Sequence, residues 1–212
     1  MSKERDNKSF WNRYAKLYDF EISMTSGKAY KEMFRRLADA LSPYMNVLEV
    51  ATGTGLIAVN IAARVSRVEA IDFAPKMIAK AKGKKPPANV HFSVEDATRL
   101  SFADNSFDAV IISNALHIMP NPTAVLANIS RVLKPNGLLV APNFTHGHLT
   151  ESTWKLNARF LKLIGFETYS KWTPQEYIEF ISQNGFAVES WCVLNAAFPL
   201  VYLQARKVDT EQ

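Results

Sequence analysis

The sequence predicts an α/β fold: a mostly parallel sheet of seven strands with helices on both faces and an antiparallel terminal pair. Two observations predict it. Between Asn46 and Phe144, short apolar strand-like runs alternate with runs of helical periodicity, the pattern of a parallel sheet covered on both sides. Near the end, two strand-like runs are separated by only "NAAF", a spacing that reads as a hairpin. The 212 residues suffice for one large domain with a sizeable core.

The elements follow in order. Asp6 to Leu41 reads as two helices split by "YDFEISMTSGK". Phe10, Tyr14, Leu17 and Tyr18 recur at helical spacing, as do Met33, Phe34, Leu37 and Leu41. "NVLEVA" is a strand and "GLIAVNIAARV" a helix, "RVEAID" a strand and "APKMIAKAK" a helix, and "NVHFSV" and "FDAVIIS" are strands. "PTAVLANISRVL" is a helix stopped by Lys134–Pro135–Asn136–Gly137, and "GLLVAPNF" is the next strand. "ESTWKLNARFLKLIGF" and "TPQEYIEFISQNGF" read as helices, the second capped by Thr173 with Pro174 at its first position. "AVESWCVL" and "PLVYLQARK" form the closing pair. The division expected is a helical lid over residues 1–45 and a sheet domain over 46–212.

Composition narrows the function classes. A single cysteine, Cys192, excludes an internal disulfide and a cysteine-built metal cage. No apolar run is long enough to span a bilayer, and the charged start lacks a secretory signal. A cytoplasmic location is the expectation. The net charge is +5, with lysines concentrated in "PKMIAKAKGKK". That run reads first as a solvated helix face. The sharper reading is a patch for an anionic partner, such as nucleic acid or an anionic membrane surface; no aromatics interleave with the lysines, which weakens the nucleic-acid version.

In an open parallel sheet the ligand belongs beyond the carboxyl ends of the strands. That rule selects Ala51–Gly55, Asp72, Glu95–Asp96, Ser113–His117 and Asn143–His148. Gly53-Thr-Gly55-Leu-Ile-Ala58 formally matches a dinucleotide fingerprint, and Asp72 ends the next strand where a ribose-binding acid is expected. Three features pull away from a nicotinamide cofactor. Glu49 lies inside the first strand, the pair Glu95–Asp96 closes the third, and no Tyr-x-x-x-Lys occurs.

The segments "VLEVATGTG", "VEAIDFAPKMIAKAK", "VHFSVEDATRLSFADNSFDAVIISNALHIMPNP" and "LANISRVLKPNGLLVAPNF" resemble, in order and spacing, the successive motifs of class I S-adenosylmethionine-dependent methyltransferases. "WNRYAKLYDF" resembles the entry segment of the ubiquinone/menaquinone-biosynthesis and phospholipid N-methyltransferase-like branch. The departure is Ala51, where that family most often has glycine. The resemblance implies a Rossmann-like fold, S-adenosyl-L-methionine as cofactor and S-adenosyl-L-homocysteine as product. It implies a donor site built from Tyr18, Glu49, Ala51, Gly53, Gly55, Asp72, Phe73, Met77, Asp96, Ala97 and Asn114. Asp72 would accept both ribose hydroxyls, Asp96 the adenine amino group, and Phe73 and Met77 would flank the ring. Gly53 and Gly55 would let the backbone approach the methionine portion. No metal is needed. Each residue also has a plain structural reading: Asp72 and Asp96 as turn or helix caps, Phe73 and Met77 as packing.

Methyl transfer needs alignment above all, and a base only when the acceptor carries a proton. His117 and His146 are the candidate catalytic residues, past the fourth and fifth strands. Tyr14, His117, His146 and Trp154 are the candidate acceptor contacts. The aromatic N-terminal segment suits a lipid-like or small aromatic acceptor. The lone cysteine disfavours arsenite-type acceptors, and "SNAL" in place of Asn/Asp-Pro-Pro-Tyr disfavours DNA. A nicotinamide oxidoreductase and a non-catalytic methyltransferase-like binding module stay open, as do the accepting atom and the oligomeric state.

Overall fold

The computed structural model describes residues 9–13, 18–146, 168–196 and 199–208, for residues 18–26 the backbone alone. After a helical stretch over 9–13 come α1 (Tyr18–Ala40), β1 (Asn46–Val50), α2 (Leu56–Ile61), β2 (Arg67–Asp72), α3 (Pro75–Gly83), β3 (Val90–Val94) and β4 (Phe107–Ile112). Then follow α4 (Pro122–Val132), β5 (Leu133–Val140), β6 (Asn143–Phe144), α5 (Pro174–Gln183), β7 (Phe186–Leu194) and β8 (Leu200–Lys207). The expected helix over Glu151–Phe166 lies outside the described residues.

Strands β3, β2, β1, β4 and β5 lie side by side in parallel. β8 adds antiparallel to β5 and β6 on one side and to β7 on the other. The expected sheet is therefore present, with its antiparallel terminal pair. Strand order reverses at β1 and β4, so the carboxyl ends of these two flank the ligand crevice.

Side-chain alternation divides the core. Val47, Ala109 and Ile111 pack with Met33 and Leu37 of α1, Ile57 and Ile61 of α2 and Ile78 and Ala81 of α3. Leu48, Val50, Val110 and Ile112 face the other way, against Leu126 and Ile129 of α4 and Tyr177 and Ile181 of α5. A period of two on buried strands explains why both faces are apolar.

Two expectations are corrected. The break predicted at "YDFEISMTSGK" is absent, because α1 runs through it. The segment holds no proline, and Gly27, at which a Cβ would meet no atom within 4 Å, carries only the modest helix penalty of about 1 kcal/mol. The stripe Ala29, Tyr30, Met33 and Leu37, all buried, anchors the helix that continues N-terminally from it. The strand predicted over Gly137–Phe144 is divided into β5 and β6 at Ala141–Pro142. Proline has no N–H for a ladder; the Pro142 carbonyl instead accepts from the Asn114 amide at 2.8 Å, and the Ala141 carbonyl accepts from the Tyr177 hydroxyl at 2.9 Å. The Lys134–Gly137 stop is a bulge at the start of β5, where pairing with β4 shifts between Phe107 and Ala109. The α5 cap is as expected: the Thr173 hydroxyl accepts from the Glu176 amide, and Glu176 accepts from the Thr173 amide in return.

Candidate active site

A cavity opens at the carboxyl ends of β1, β2 and β4. Ala51, Gly53, Asp72, Phe73, Met77, Asp96, Ala97 and Asn114 all line it, so eight of the eleven expected donor residues meet in one place. The turn after β1 alternates left-handed positions: φ is 56° at Ala51, 57° at Gly53 and 78° at Gly55. This is the physical reason glycine suits position 51, and alanine there carries roughly 1–2 kcal/mol of strain.

Two carboxylates hold the turn. Glu49, on the α2 side of β1, accepts from the Thr52 hydroxyl at 2.7 Å and the Ala58 amide at 2.8 Å. Burial pushes its pKa up to about 8, against those two hydrogen bonds and with a small push from the charge of Asp72. Glu49 is thus an internal strut of the turn and does not line the cavity. Asp72 accepts from the Gly53 amide at 2.9 Å through one oxygen and the Ala74 amide at 2.8 Å through the other. Burial raises it to about 6, the two amide bonds opposing. The capping reading of Asp72 and the ribose reading are therefore compatible. Each oxygen takes one amide and keeps a lone pair, so the carboxylate can still accept from two adjacent hydroxyls.

Asp96 closes its own turn, one oxygen accepting from the Thr98 amide and hydroxyl, each at 2.8 Å. Gly55 faces away from the cavity: a Cβ there would meet the Phe92 ring at 2.5 Å. Its role is packing between α2, α3 and β3, not approach to a ligand. Tyr18 lies in the α1 backbone, its side chain outside the description; Tyr14 and Trp154 are outside the described residues.

Several lining residues were not singled out for the site from the sequence: Ile71, Thr98, Ile118, Met119, Pro120 and Val125. Trp11 also lines it, and Asn12 accepts from the Lys76 amide at 3.0 Å. The N-terminal stretch therefore sits on the start of α3, beside the cavity. Its aromatic content was the legible signal.

The histidines stand apart. Ala115 and Ile118 line the cavity, but His117 does not. Its Nδ1 lies 2.9 Å from Asn143 Oδ1, while Asn143 Nδ2 donates to the Phe144 carbonyl at 3.0 Å. That orientation of the amide places the imidazole proton on Nδ1. The His117 carbonyl accepts from the Tyr169 and Ser170 amides. Burial lowers its pKa to about 4, with a smaller push from His146 and an opposing pull from Asn143. His146, itself lowered by burial, is close enough to act on it, so the two expected histidines do come together. Because the folded pKa is below the ordinary 6.5, this group's contribution is present above about pH 6.5 and lost as pH falls through about 4. Denaturant unfolding should show the parent losing roughly 3 kcal/mol relative to His117→Phe across that window. Equal pH slopes in the two proteins would contradict a buried neutral histidine.

The donor set fits S-adenosylmethionine on chemical grounds: a carboxylate with two spare lone pairs, apolar walls from Ile71, Phe73 and Met77, and a buried amide oxygen on Asn114 without a hydrogen-bond partner among the described residues. A parallel sheet with a reversed order at β1 and β4, a left-handed glycine turn and an acid ending β2 define a class I methyltransferase-type nucleoside site. Comparison with known proteins agrees. Residues 48–141 match a family model described as a methyltransferase domain. Ubiquinone/menaquinone biosynthesis C-methyltransferase UbiE of Geotalea daltonii is 31% identical, with 68% of each chain covered. Demethylmenaquinone methyltransferases of Renibacterium salmoninarum and Beutenbergia cavernae are 39% and 35% identical, covering 61% and 76% of this chain. The chain spans 54% and 63% of the length of those two relatives. Among solved structures, a SAM-dependent methyltransferase from Aquifex aeolicus superposes with a TM-score of 0.69 at 18% identity, covering 93% of this chain and 98% of its own. The [4+2]-cyclase SpnF superposes at 0.70 with 20% identity, covering 85% of this chain and 82% of its own; likeness at this level shows the fold alone. The chain belongs to the class I S-adenosylmethionine-dependent methyltransferases, in their ubiquinone/menaquinone branch.

Proposed function

We propose that this protein transfers a methyl group from S-adenosylmethionine to a lipid-like acceptor of the quinol class. The observation that carries the reading is Asp72, a buried carboxylate with acceptor capacity to spare, in one cavity with an apolar wall. The relatives named for menaquinone and ubiquinone biosynthesis supply the acceptor class. Bound there, S-adenosylmethionine supplies a methyl carbon activated by its sulfonium. Asp72 holds the ribose, Phe73 and Met77 flank the adenine, and Asp96 and the Ala97 amide read its edge. Trp11, Ile118, Met119 and Pro120 exclude water from the transfer and offer an apolar wall to the acceptor. Of the expected lid over residues 1–45, the stretch that carries Trp11 covers this space, while the buried stripe from Ala29 to Leu41 belongs to the core. Where the acceptor atom must lose a proton, His117 and His146 are the candidate bases; burial lowers both, and a pKa near 4 makes His117 a weak one.

Among the described residues no helix is long and apolar enough to cross a membrane. The surface we assign to anionic lipid is α3 and the turn after it, where Lys76, Lys82 and Lys85 are exposed and no acidic residue interrupts the run. Phe73 and Met77 at the same end of α3 line the cavity. Labelled S-adenosylmethionine with demethylmenaquinol in neutral or anionic vesicles tests both statements. Transfer to the quinol is expected, faster on anionic vesicles. Label in amine or thiol acceptors only would replace the acceptor, equal rates on both vesicles would remove the membrane surface, and donor binding without turnover on any acceptor would favour a non-catalytic module.

A further inference from the structure

Tyr30 is not part of the cavity wall, yet it holds a residue that is. It lies on α1, ahead of the first strand, 6% exposed and edge-on to Phe34 with ring centroids 6.1 Å apart. Its hydroxyl accepts from Asn114 Nδ2 at 3.0 Å. Asn114 follows β4 with φ of 53°, and its own amide donates to the Pro142 carbonyl at 2.8 Å. Backbone and side chain of Asn114 are thus fastened from two directions. What is left is Oδ1, buried and without a hydrogen-bond partner among the described residues, on a residue that lines the cavity.

A primary amide is two groups, a donor and an acceptor, and exchanging them reverses what it offers. With Nδ2 committed to Tyr30, only the acceptor end remains for a ligand. The sheet order says which end of the ligand meets it. Asp96 and Ala97 follow β3, Asp72 ends β2, and Asn114 follows β4, on the far side of β1. A nucleoside held with its adenine at β3 and its ribose at β2 carries its amino-acid portion toward β1 and β4. The strongest donor in that portion is a cationic ammonium, the preferred partner for a desolvated amide oxygen.

We infer that Tyr30 is a positioning residue for the cofactor: its hydroxyl fixes the Asn114 amide so that Oδ1 meets the ammonium of the amino-acid portion. This rests on the donor-site reading above. It also gives α1 a specific link to the site, since occupancy of Oδ1 and the Tyr30 bond involve the same amide.

Calorimetry with S-adenosylhomocysteine and with 5′-methylthioadenosine, which lacks the amino-acid portion, tests it. Tyr30→Phe should weaken S-adenosylhomocysteine binding about 3–10-fold, the scale of one hydrogen bond, and leave 5′-methylthioadenosine unchanged. Asn114→Ala should weaken S-adenosylhomocysteine at least as much, and adding Tyr30→Phe to it should cost nothing further. Melting temperatures of the same variants separate folding from positioning. Parent-like binding by Tyr30→Phe, equal losses for both ligands, or additive losses in the double variant would each overturn the inference. A parent protein that binds neither ligand would instead overturn the donor-site reading itself.

Discussion

Affinity for S-adenosylhomocysteine should rise about tenfold between about pH 5 and about pH 7 and then level off. Asp72→Ala should abolish that dependence and weaken binding by about 1.5–3 kcal/mol, the scale of hydrogen bonds to a charged group. The pKa of Asp72 is raised to about 6 chiefly by burial, with the Ala74 and Gly53 amide bonds pulling the other way. Two ribose hydroxyls are donors and need acceptors, so they bind the ionised carboxylate. Below about pH 6 the carboxyl must first give up its proton, and each unit of acid then weakens binding tenfold. Glu49, raised to about 8 by burial, is protonated in this window, so it does not compete with the charge on Asp72. Folding runs the opposite way. Because the folded pKa lies above the ordinary 3.8, the contribution of Asp72 to stability is full below that value and is lost as pH rises through about 6. Donor affinity should therefore improve over the same range in which this group ceases to help the fold. Calorimetry across the range in parent and variant decides it. A flat profile in the parent, or a variant with parent affinity, would remove Asp72 from the ribose.

What was legible in the sequence was what is local. The β1 turn, Asp72 and Asp96 can be read because strand, turn and helix are contiguous, and the sheet order then places them together without further information. The Thr173 cap was readable for the same reason. The features that escaped are long-range. Nothing near "YDFEISMTSGK" says that α1 continues, since the cause is the buried stripe beyond it. Glu49 reads as a cofactor acid until the Ala58 amide is seen to reach it at 2.8 Å. His117 reads as a residue of the cavity rim, yet it does not line the cavity, and Asn143, 26 residues on, holds it by its Nδ1. Tyr30 and Asn114, 84 residues apart, carry no mutual signal at all. Motif spacing reports where a side chain emerges from the backbone; which way it is held depends on partners from elsewhere in the chain.

Gly55 shows the same limit, and its replacement should have the largest effect on stability. Gly55→Ala should destabilise the protein by roughly 2–5 kcal/mol, a large share of the about 5–15 kcal/mol that holds a domain folded. Two costs combine. At φ +78° a Cβ is strained by about 1–2 kcal/mol wherever it points. Here it points at Phe92, with Cζ at 2.5 Å and Cε1 at 2.8 Å, and Ala81 Cβ at 3.2 Å. Phe92 is 7% exposed and Ala81 fully buried, so the ring cannot swing into solvent, and overpacking a close-packed core costs about 1–3 kcal/mol. The Gly55 amide donates to the Thr52 carbonyl, and its carbonyl accepts from the Val59 amide. These bonds lie inside the turn, and Gly55 does not line the cavity. The folded fraction of Gly55→Ala at low temperature should accordingly bind S-adenosylhomocysteine within a few-fold of the parent. Phe92→Leu in the same chain should restore the packing part of the loss and leave the strain, so the double variant should be more stable than Gly55→Ala alone and less stable than the parent. Chemical denaturation of the four proteins measures this. A Gly55→Ala protein of parental stability that no longer binds would show that the glycine faces the ligand after all.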